Sequence, residues 1–418
     1  MKKVFATIIT IGDELLIGQV IDTNSAWIAQ ELNKIGVSVK HRIAVGDVYD
    51  DIWNALNEES KQADIILITG GLGPTADDIT KPLLCDYFGG KMIMHQPTLD
   101  YITDLFEKKF KRPMIDRNRK QAEVPDVCTV LKNERGTAPG MLFEKDEKIF
   151  IALPGVPHEM KWIMHNEVLN IISQNFKTGF IEHRTLLTAG IGESYLAEMI
   201  KDFEEKIQSN IKLAYLPNDG MIRLRLTGFS NDKNKLVETI DTLFSTLKNL
   251  VKEYLVVDED ISLEAVIGKL LKERKQTIAT AESCTGGYIA HLLTSIPGSS
   301  AYYEGSVVSY SYAVKEEVLN VKNITLNTVG AVSEETVCEM VKNVMQLMKT
   351  DYAIAVSGIM GPDGGTHEKP VGTAWVAVAS KYKIISKKFH FRFDRTRNIQ
   401  LTATNALNLM RQLIVDNR

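Results

Sequence analysis

Short apolar runs alternate with segments of helical period along the first part of the chain. Residues 4–11 form one near-continuous apolar run, and apolar positions 26, 28, 29, 32 and 35 then recur at helical spacing until Gly36 closes the pattern. A second strand is predicted over 37–45, a helix over 52–63, and a third strand over 64–69 that runs straight into Gly70-Gly71. Strands that are apolar on both faces and alternate with helices argue for a parallel sheet covered on each side. In such sheets ligands sit where strand ends meet glycine-rich loops and helix N-termini.

Near residue 170 the pattern changes. Strands are predicted over 180–188, 211–215 and 221–226, with helices over 193–203 and 235–247; Pro217-Asn218-Asp219-Gly220 is a strong turn between two of the strands. This strand-helix-strand-strand-helix unit is a small α/β sandwich. Arg223 and Arg225 lie on one face of its hairpin, opposite Ile222, Leu224 and Leu226, which reads as a charged outer face over a core. No GxxG clamp or aromatic pair accompanies the arginines, so there is no clear nucleic-acid signal. After a polar, acidic joint at 257–264, a helix is predicted through 271 and a strand over 275–281. Further strands follow over 353–357, 373–379 and 383–391, then a closing amphipathic helix over 399–414. The expected architecture is α/β throughout: two larger three-layer α/β domains, 1–170 and 257–418, joined by a small α/β sandwich at 171–256.

Composition narrows the class. The chain has 418 residues, 44% of them hydrophobic, enough for more than one core. A formal charge of -4 and the lack of a lysine/arginine block give no reason to expect partners gathered by long-range charge. The apolar run at the N-terminus is short and leads into Gly12-Asp13-Glu14 rather than a small-residue cleavage site, so it reads as a first strand and not a secretory signal. No apolar run reaches the ~18–20 residues that span a bilayer. Cysteines 85, 128, 284 and 338 match neither zinc nor disulfide spacing, and free thiols suit a reducing compartment. A cytoplasmic location without membrane contact is expected.

Candidate chemistry concentrates at two strand ends. Ser283 stands where an apolar strand meets Thr285-Gly286-Gly287 and a following helix, a geometry that presents a hydroxyl beside unpaired N–H groups. A serine hydroxyl needs a base. His291 lies two helical turns on, roughly 10 Å along the axis, and reads as an ordinary helix residue. The segment 305–315 places Tyr310 at a strand-to-helix corner and Lys315 in the first turns of the helix. There a lysine with a lowered pKa could serve as base and a tyrosine hydroxyl could orient the proton, although most lysines at helix starts are simply solvated. Cys284 reads as a small buried hydrophobe with no activating neighbour. The irregular glycine-rich loop 357–372 contains Gly361, Asp363 and Gly364. Its backbone can approach a ligand and Asp363 can accept from a ribose or amide, or the loop can be a lid without direct contact. Arg395, after the last strand, is a candidate for phosphate, or a plain surface charge.

AESCTGG at 281–287, GSS at 298–300, VVSYSYAVK at 307–315, GAVSEE at 330–335, SGIMGPDGG at 357–365 and KPVGT at 369–373 together resemble the C-terminal domain of the CinA-like (competence/damage-inducible protein A) family. That resemblance implies a nicotinamide mononucleotide deamidase, an amidohydrolase without a cofactor. It makes Ser283 the nucleophile, with Tyr310 and Lys315 beside it. Tyr312 stands where the family usually has asparagine. The substrate-binding set is then Thr285, Gly286, Gly287, Gly361, Asp363, Gly364 and Arg395.

In the first domain, GDELLIGQVIDTNS follows the first strand and TGGLGPTADDIT the third. Glycines 70, 71 and 73 free backbone N–H groups for phosphate, while Asp77 and Asp78 bring negative charge to the same place. That combination leads us to expect a divalent metal ion, with helix capping as the alternative role for these carboxylates. The two segments resemble the molybdopterin-binding-like domain of full-length CinA-like proteins. The resemblance implies metal-dependent hydrolysis of ADP-ribose, with Asn24, Gly70, Gly71 and Gly73 toward the ligand and Asp13, Asp77 and Asp78 toward the metal. GTAPG at 136–140 and LPGVPHEM at 153–160 are expected to complete that pocket. The resemblance also implies a KH-like middle domain, small-molecule nucleotides as partners and a homodimer. A non-catalytic scaffold that binds a nucleotide or molybdopterin is the competing reading.

Overall fold

The computed structural model describes residues 3–75, 77–218 and 220–417. The chain forms two compact units, Met1–Glu182 with Gly228–Thr239, and His183–Thr227 with Ile240–Arg418.

The first unit contains strands β1 (Phe5–Ile11), β2 (Ser38–Val45), β3 (Ile65–Thr69), β4 (Met92–Met94), β5 (Glu123–Pro125), β6 (Thr129–Leu131), β7 (Gly140–Lys145) and β8 (Lys148–Leu153). Six of them form one sheet in the order β2-β1-β3-β8-β7-β6, and β4 pairs with β5 separately. Strands β2, β1, β3 and β8 are parallel, and β7 runs antiparallel between β8 and the edge strand β6. The expected parallel sheet is therefore mixed. Side chains alternate faces along a strand, and that period sorts the core into two layers. Ala6, Ile8, Ile65, Leu67, Ile149 and Ile151 point to one side, where Ile28 and Leu32 of helix Thr23–Lys34 and Met160 and Ile163 of helix Pro157–Ile163 meet them. Ile9, Ile11, Ile66, Ile68 and Phe150 point to the other, against Ile52 and Leu56 of helix Tyr49–Ser60 and Leu83 and Leu84 of helix Thr80–Phe88. This is a three-layer domain.

A small sheet follows, with β9 (Phe180–Ala189), β10 (Ile211–Asn218), β11 (Met221–Ser230) and β12 (Leu255–Val257) in the order β10-β11-β9-β12. Ile222, Leu224 and Leu226 are buried in its core, as the hairpin alternation requires, while Arg223 pairs with Asp260 at 3.4 Å. Asp219, part of the expected turn, lies outside the described residues.

The last sheet has β13 (Ile278–Glu282), β14 (Tyr303–Val308), β15 (Tyr352–Gly358), β16 (Thr373–Ser380) and β17 (Ile384–His390), ordered β14-β13-β15-β16-β17. Strand β13 is parallel to both neighbours, while the β15–β16 and β16–β17 pairs are antiparallel. It starts later than the apolar run suggests, because Lys275 takes the left-handed conformation (φ +55°) that ends helix Leu263–Arg274. One face is alanine-rich (Ala279, Ala281, Ala353, Ala355, Ala377, Ala379) and receives helix Glu334–Met348 through Val337, Met340, Val341 and Val344. The other carries Ile278, Ile354, Val356, Val376 and Val378 against helix Leu263–Arg274 and the long helix Arg395–Asp416. All four cysteines are free. Among the described residues no helix is long and apolar enough to cross a membrane.

Candidate active site

The register Glu282↔Val308 sets the exits of β13 and β14 side by side. The chain leaving β14 therefore passes the turn that carries Ser283. Ser283 N donates to Val356 O at 3.0 Å, which ties the turn to β15, and Ser309 N donates to Glu282 O at 2.8 Å. Ser311 then caps helix Tyr312–Glu317, its Oγ accepting from Val314 N at 3.2 Å, and Lys315 points back beneath the turn. The ammonium Nζ lies 3.0 Å from Ser283 Oγ, 2.5 Å from Ser309 O and 3.4 Å from Tyr310 O. Lys315 is fully buried (0% exposed) and Ser283 nearly so (8%). Among the described residues no carboxylate pairs with Lys315, and burial pushes its amine down to about 8 from an ordinary value near 10.5. The buried Ser309 hydroxyl has no partner among the described residues.

The N–H groups at the start of the next helix are not free. Glu282, fully buried, accepts from Gly287 N (3.1 Å), Ile289 N (3.0 Å) and Ala290 N (2.8 Å), and from Thr285 Oγ1 at 2.6 Å. A carboxylate at a helix N-terminus satisfies orphan donors and the helix dipole together. Of the three residues expected to meet substrate in this turn, Thr285 thus spends its hydroxyl proton, and Gly287 its N–H, on Glu282. Burial pushes the Cys284 thiol up to about 12, which disfavours a thiolate there. His291 is exposed and stacks on Tyr288.

Tyr310 joins the pair through its main chain only. Its exposed ring (63%) places its hydroxyl 3.2 Å from Arg395 Nη2, and Arg395 Nη1 donates to Gly361 O at 2.7 Å. Gly361 has φ +88°, and a Cβ there would lie 2.6 Å from Val371 Cγ1. Buried Asn398 anchors the loop further by donating to Met360 O at 3.0 Å. Asp363 and Gly364 lie on the exposed part of the loop.

In the first unit, β1, β3 and β8 end around a cleft of about 440 Å³ that Gly70, Gly71, Gly73, Asp77 and Asp78 line. Gly70 (φ +117°) leaves no room for a side chain, since a Cβ would sit 2.2 Å from Ile11 O. Thr137, Ala138, Pro154, Gly155 and Glu159 complete the wall. Asn24 borders a smaller adjoining cavity, donating to Gly155 O at 2.7 Å, and its buried Oδ1 has no partner among the described residues.

The expected divalent ion is overturned. Among the described residues no group of three His, Cys, Asp or Glu side chains could hold a metal ion. The carboxylates are occupied locally: Asp78 accepts from Gly73 N at 2.8 Å and from Thr75 N at 2.8 Å, holding the glycine loop. Asp13 accepts from Asp47 N at 3.2 Å, and Asp47 accepts from Asp13 N at 3.1 Å. Asp77 is exposed, with the Thr75 hydroxyl holding its carboxyl below the usual range.

Residues 7–174 match the family described as "Probable molybdopterin binding domain", 183–256 "Damage-inducible protein CinA KH domain", and 260–414 "CinA C-terminal domain". Over 413 residues, 99% of either chain, the sequence is 44% identical to a CinA-like protein of Flavobacterium psychrophilum. The chain belongs to the CinA-like family. CinA-like proteins of Cytophaga hutchinsonii (44% over 409 residues, 98% of each chain) and Chloroherpeton thalassium (42% over 417 residues, 98% of this chain and 99% of that one) match equally along their length.

Within this CinA-like chain, sequence reasoning missed two buried groups beside the sites. Glu282 is one; its only signal was a charged residue ending an otherwise apolar strand. The other is Lys81, whose Nζ donates to Gln121 O at 2.7 Å at the wall of the N-terminal cleft and which burial pushes down to about 8.

Proposed function

We propose that the C-terminal domain hydrolyses the carboxamide of nicotinamide mononucleotide to a carboxylate and ammonia, with Ser283 as nucleophile and Lys315 as general base. The observation that carries this reading is the buried amine at 3.0 Å from the Ser283 hydroxyl, with no carboxylate holding its proton among the described residues. A neutral Lys315 takes the hydroxyl proton as Ser283 Oγ bonds to the amide carbon. The tetrahedral intermediate then expels ammonia, which takes the proton back from Lys315, and an ester to Ser283 remains. Water attacks that ester, again losing its proton to Lys315, and Ser283 recovers its hydrogen as the carboxylate departs. We assign the oxyanion to the amides of Cys284 and Thr285, which have no main-chain acceptor among the described residues.

Tyr310 and Arg395 are assigned to the substrate rather than to proton transfer. The guanidinium already spans Gly361 O and the Tyr310 hydroxyl, and its remaining N–H groups suit a phosphate. Ammonia release from nicotinamide mononucleotide tests the reading. Wild type should release it and Ser283→Ala should not; no release from either protein supports a non-catalytic scaffold instead.

For the N-terminal cleft we propose binding of a nucleotide pyrophosphate, ADP-ribose being the ligand that the family resemblance implies. The glycine-lined cleft at the strand ends, with its loop held in shape by Asp78, supports this. Calorimetric titration of ADP-ribose, with turnover followed in the same samples, separates binding from hydrolysis.

A further inference from the structure

The first unit has a second space beside its cleft, a pocket of about 200 Å³. One wall is helix Gln96–Asp104, which turns Pro97, Thr98 and Tyr101 toward it at helical spacing, with His95 just before the helix. Val130 of β6 and the segment 136–139 supply the rest. That segment is a partition. Gly136, Thr137 and Pro139 line the pocket, whereas Thr137 and Ala138 line the cleft, so the two spaces meet at Thr137. Side chains fix the partition in place. Asn133 donates to Ala138 O at 2.8 Å and to Glu159 Oε2 at 2.6 Å, and a Cβ on Gly136 would lie 2.0 Å from the Glu159 carboxyl.

The pocket suits an uncharged, flat group. Among the described residues no carboxylate lines it, and the Lys132 ammonium there is engaged by Glu134 at 2.6 Å. Its walls are two prolines, a valine and the Tyr101 and His95 rings, surfaces that a heteroaromatic ring can lie against. Polar tips are left over to read the edge of such a ring. The Tyr101 and Thr137 hydroxyls make no hydrogen bond among the described residues, and His95 uses Nδ1 on Thr98 Oγ1 at 2.7 Å, which leaves Nε2. A third cavity, of about 140 Å³, joins the cleft through Ile11, Glu14 and Gly155. It offers acceptors instead, the Glu14 carboxylate and the unpartnered Asn24 Oδ1, which suit sugar hydroxyls. Pocket and cleft together fall within the ~300–1,000 Å³ of small-ligand sites. We propose that the pocket beside residues 136–139 takes the nucleobase of the nucleotide whose pyrophosphate lies in the cleft, adenine in the case of ADP-ribose, against Tyr101 and His95. This rests on the reading of the cleft as a nucleotide pyrophosphate site.

Photolabelling of the full chain tests this without any substitution. 8-Azido-ADP-ribose carries its reactive group on the base. On irradiation it should label peptides that contain residues 95–101 or 130–139, and excess ADP-ribose should suppress that labelling. Tyr101→Ala and Thr98→Trp, which enlarge and fill the pocket, should each weaken ADP-ribose binding at least tenfold by calorimetry, with melting temperatures confirming that both variants fold. Labelling confined to other peptides overturns the base pocket, and so does a change under twofold in both variants; either result leaves the cleft reading standing. Wild-type protein that binds no ADP-ribose at millimolar concentration overturns the cleft reading, and the base pocket falls with it.

Discussion

Glu282→Gln keeps the shape of the side chain but removes its charge and one acceptor oxygen. In the native turn, Oε2 accepts from Thr285 Oγ1, Gly287 N and Ile289 N, and Oε1 accepts from Ala290 N. The single carbonyl of glutamine can take over the first set. Its NH₂ group then faces the Ala290 N–H, and a buried donor is left unpaired at a cost of about 1–3 kcal/mol. Loss of the negative charge at the first helical turn adds about 1 kcal/mol. Together these destabilise the turn by ~2–4 kcal/mol. Global unfolding of a multi-domain chain is a poor assay for so local an effect, whereas amide hydrogen exchange reads it residue by residue. At ~1.4 kcal/mol per decade, exchange at Ile289 and Ala290 should accelerate roughly 30- to 700-fold. Turnover at Ser283 should fall with it, because both depend on the same turn. Exchange altered less than about threefold, with turnover intact, would refute the role given to Glu282.

Four further outcomes are expected. Because Lys315 must be neutral to act as base, kcat/KM for amide hydrolysis should rise with pH and level off above about 8, and a profile flat from pH 6 to 9 would contradict this. The same lowered pKa gives the stability linkage its sign: the unfolded chain binds the Lys315 proton more tightly, so the contribution of Lys315 to stability is lost as pH falls from the ordinary lysine value of 10.5 to about 8, and chemical denaturation should find the protein more stable at pH 9.5 than at pH 7. Cys284→Ala should retain most amidase activity, since burial keeps the thiol protonated; loss as complete as in Ser283→Ala would move the nucleophile. Asp78→Ala releases the Gly73 and Thr75 amides from the glycine loop and should weaken ADP-ribose binding by about 1–3 kcal/mol by calorimetry, whereas unchanged affinity would detach the loop from the ligand.

Central strands were the most legible elements, because burial on both faces makes a strand a continuous apolar run. Strands β1, β3 and β13 announce themselves in this way, and the glycine turns after β3 and β13 mark both candidate sites. Strands β4 and β5 were invisible: each has three residues, and Met92, Ile93 and Met94 are exposed, so no periodicity sets them apart. The antiparallel edge was also missed, since the reading continued the parallel alternation past β3. Within the sites, the strand-to-helix corner left room for Ser283 and Lys315 to converge, and it was the family resemblance that paired them. The Tyr310–Arg395 contact was not legible, because Arg395, the partner of the Tyr310 hydroxyl, is 85 positions away and arrives only with the last helix. The metal expectation failed for a related reason. Backbone N–H groups that satisfy Asp13 and Asp78 carry no letter in the sequence, so the carboxylates looked free when they were engaged.

The most direct test of a serine activated by a buried amine is to trap the acyl-enzyme. Wild-type protein is mixed with nicotinamide mononucleotide, quenched in acid within milliseconds to seconds, digested and analysed by mass spectrometry. An ester on Ser283, absent from Lys315→Met, is the predicted result. An adduct on Cys284, or steady ammonia release by Lys315→Met at the wild-type rate, would contradict it.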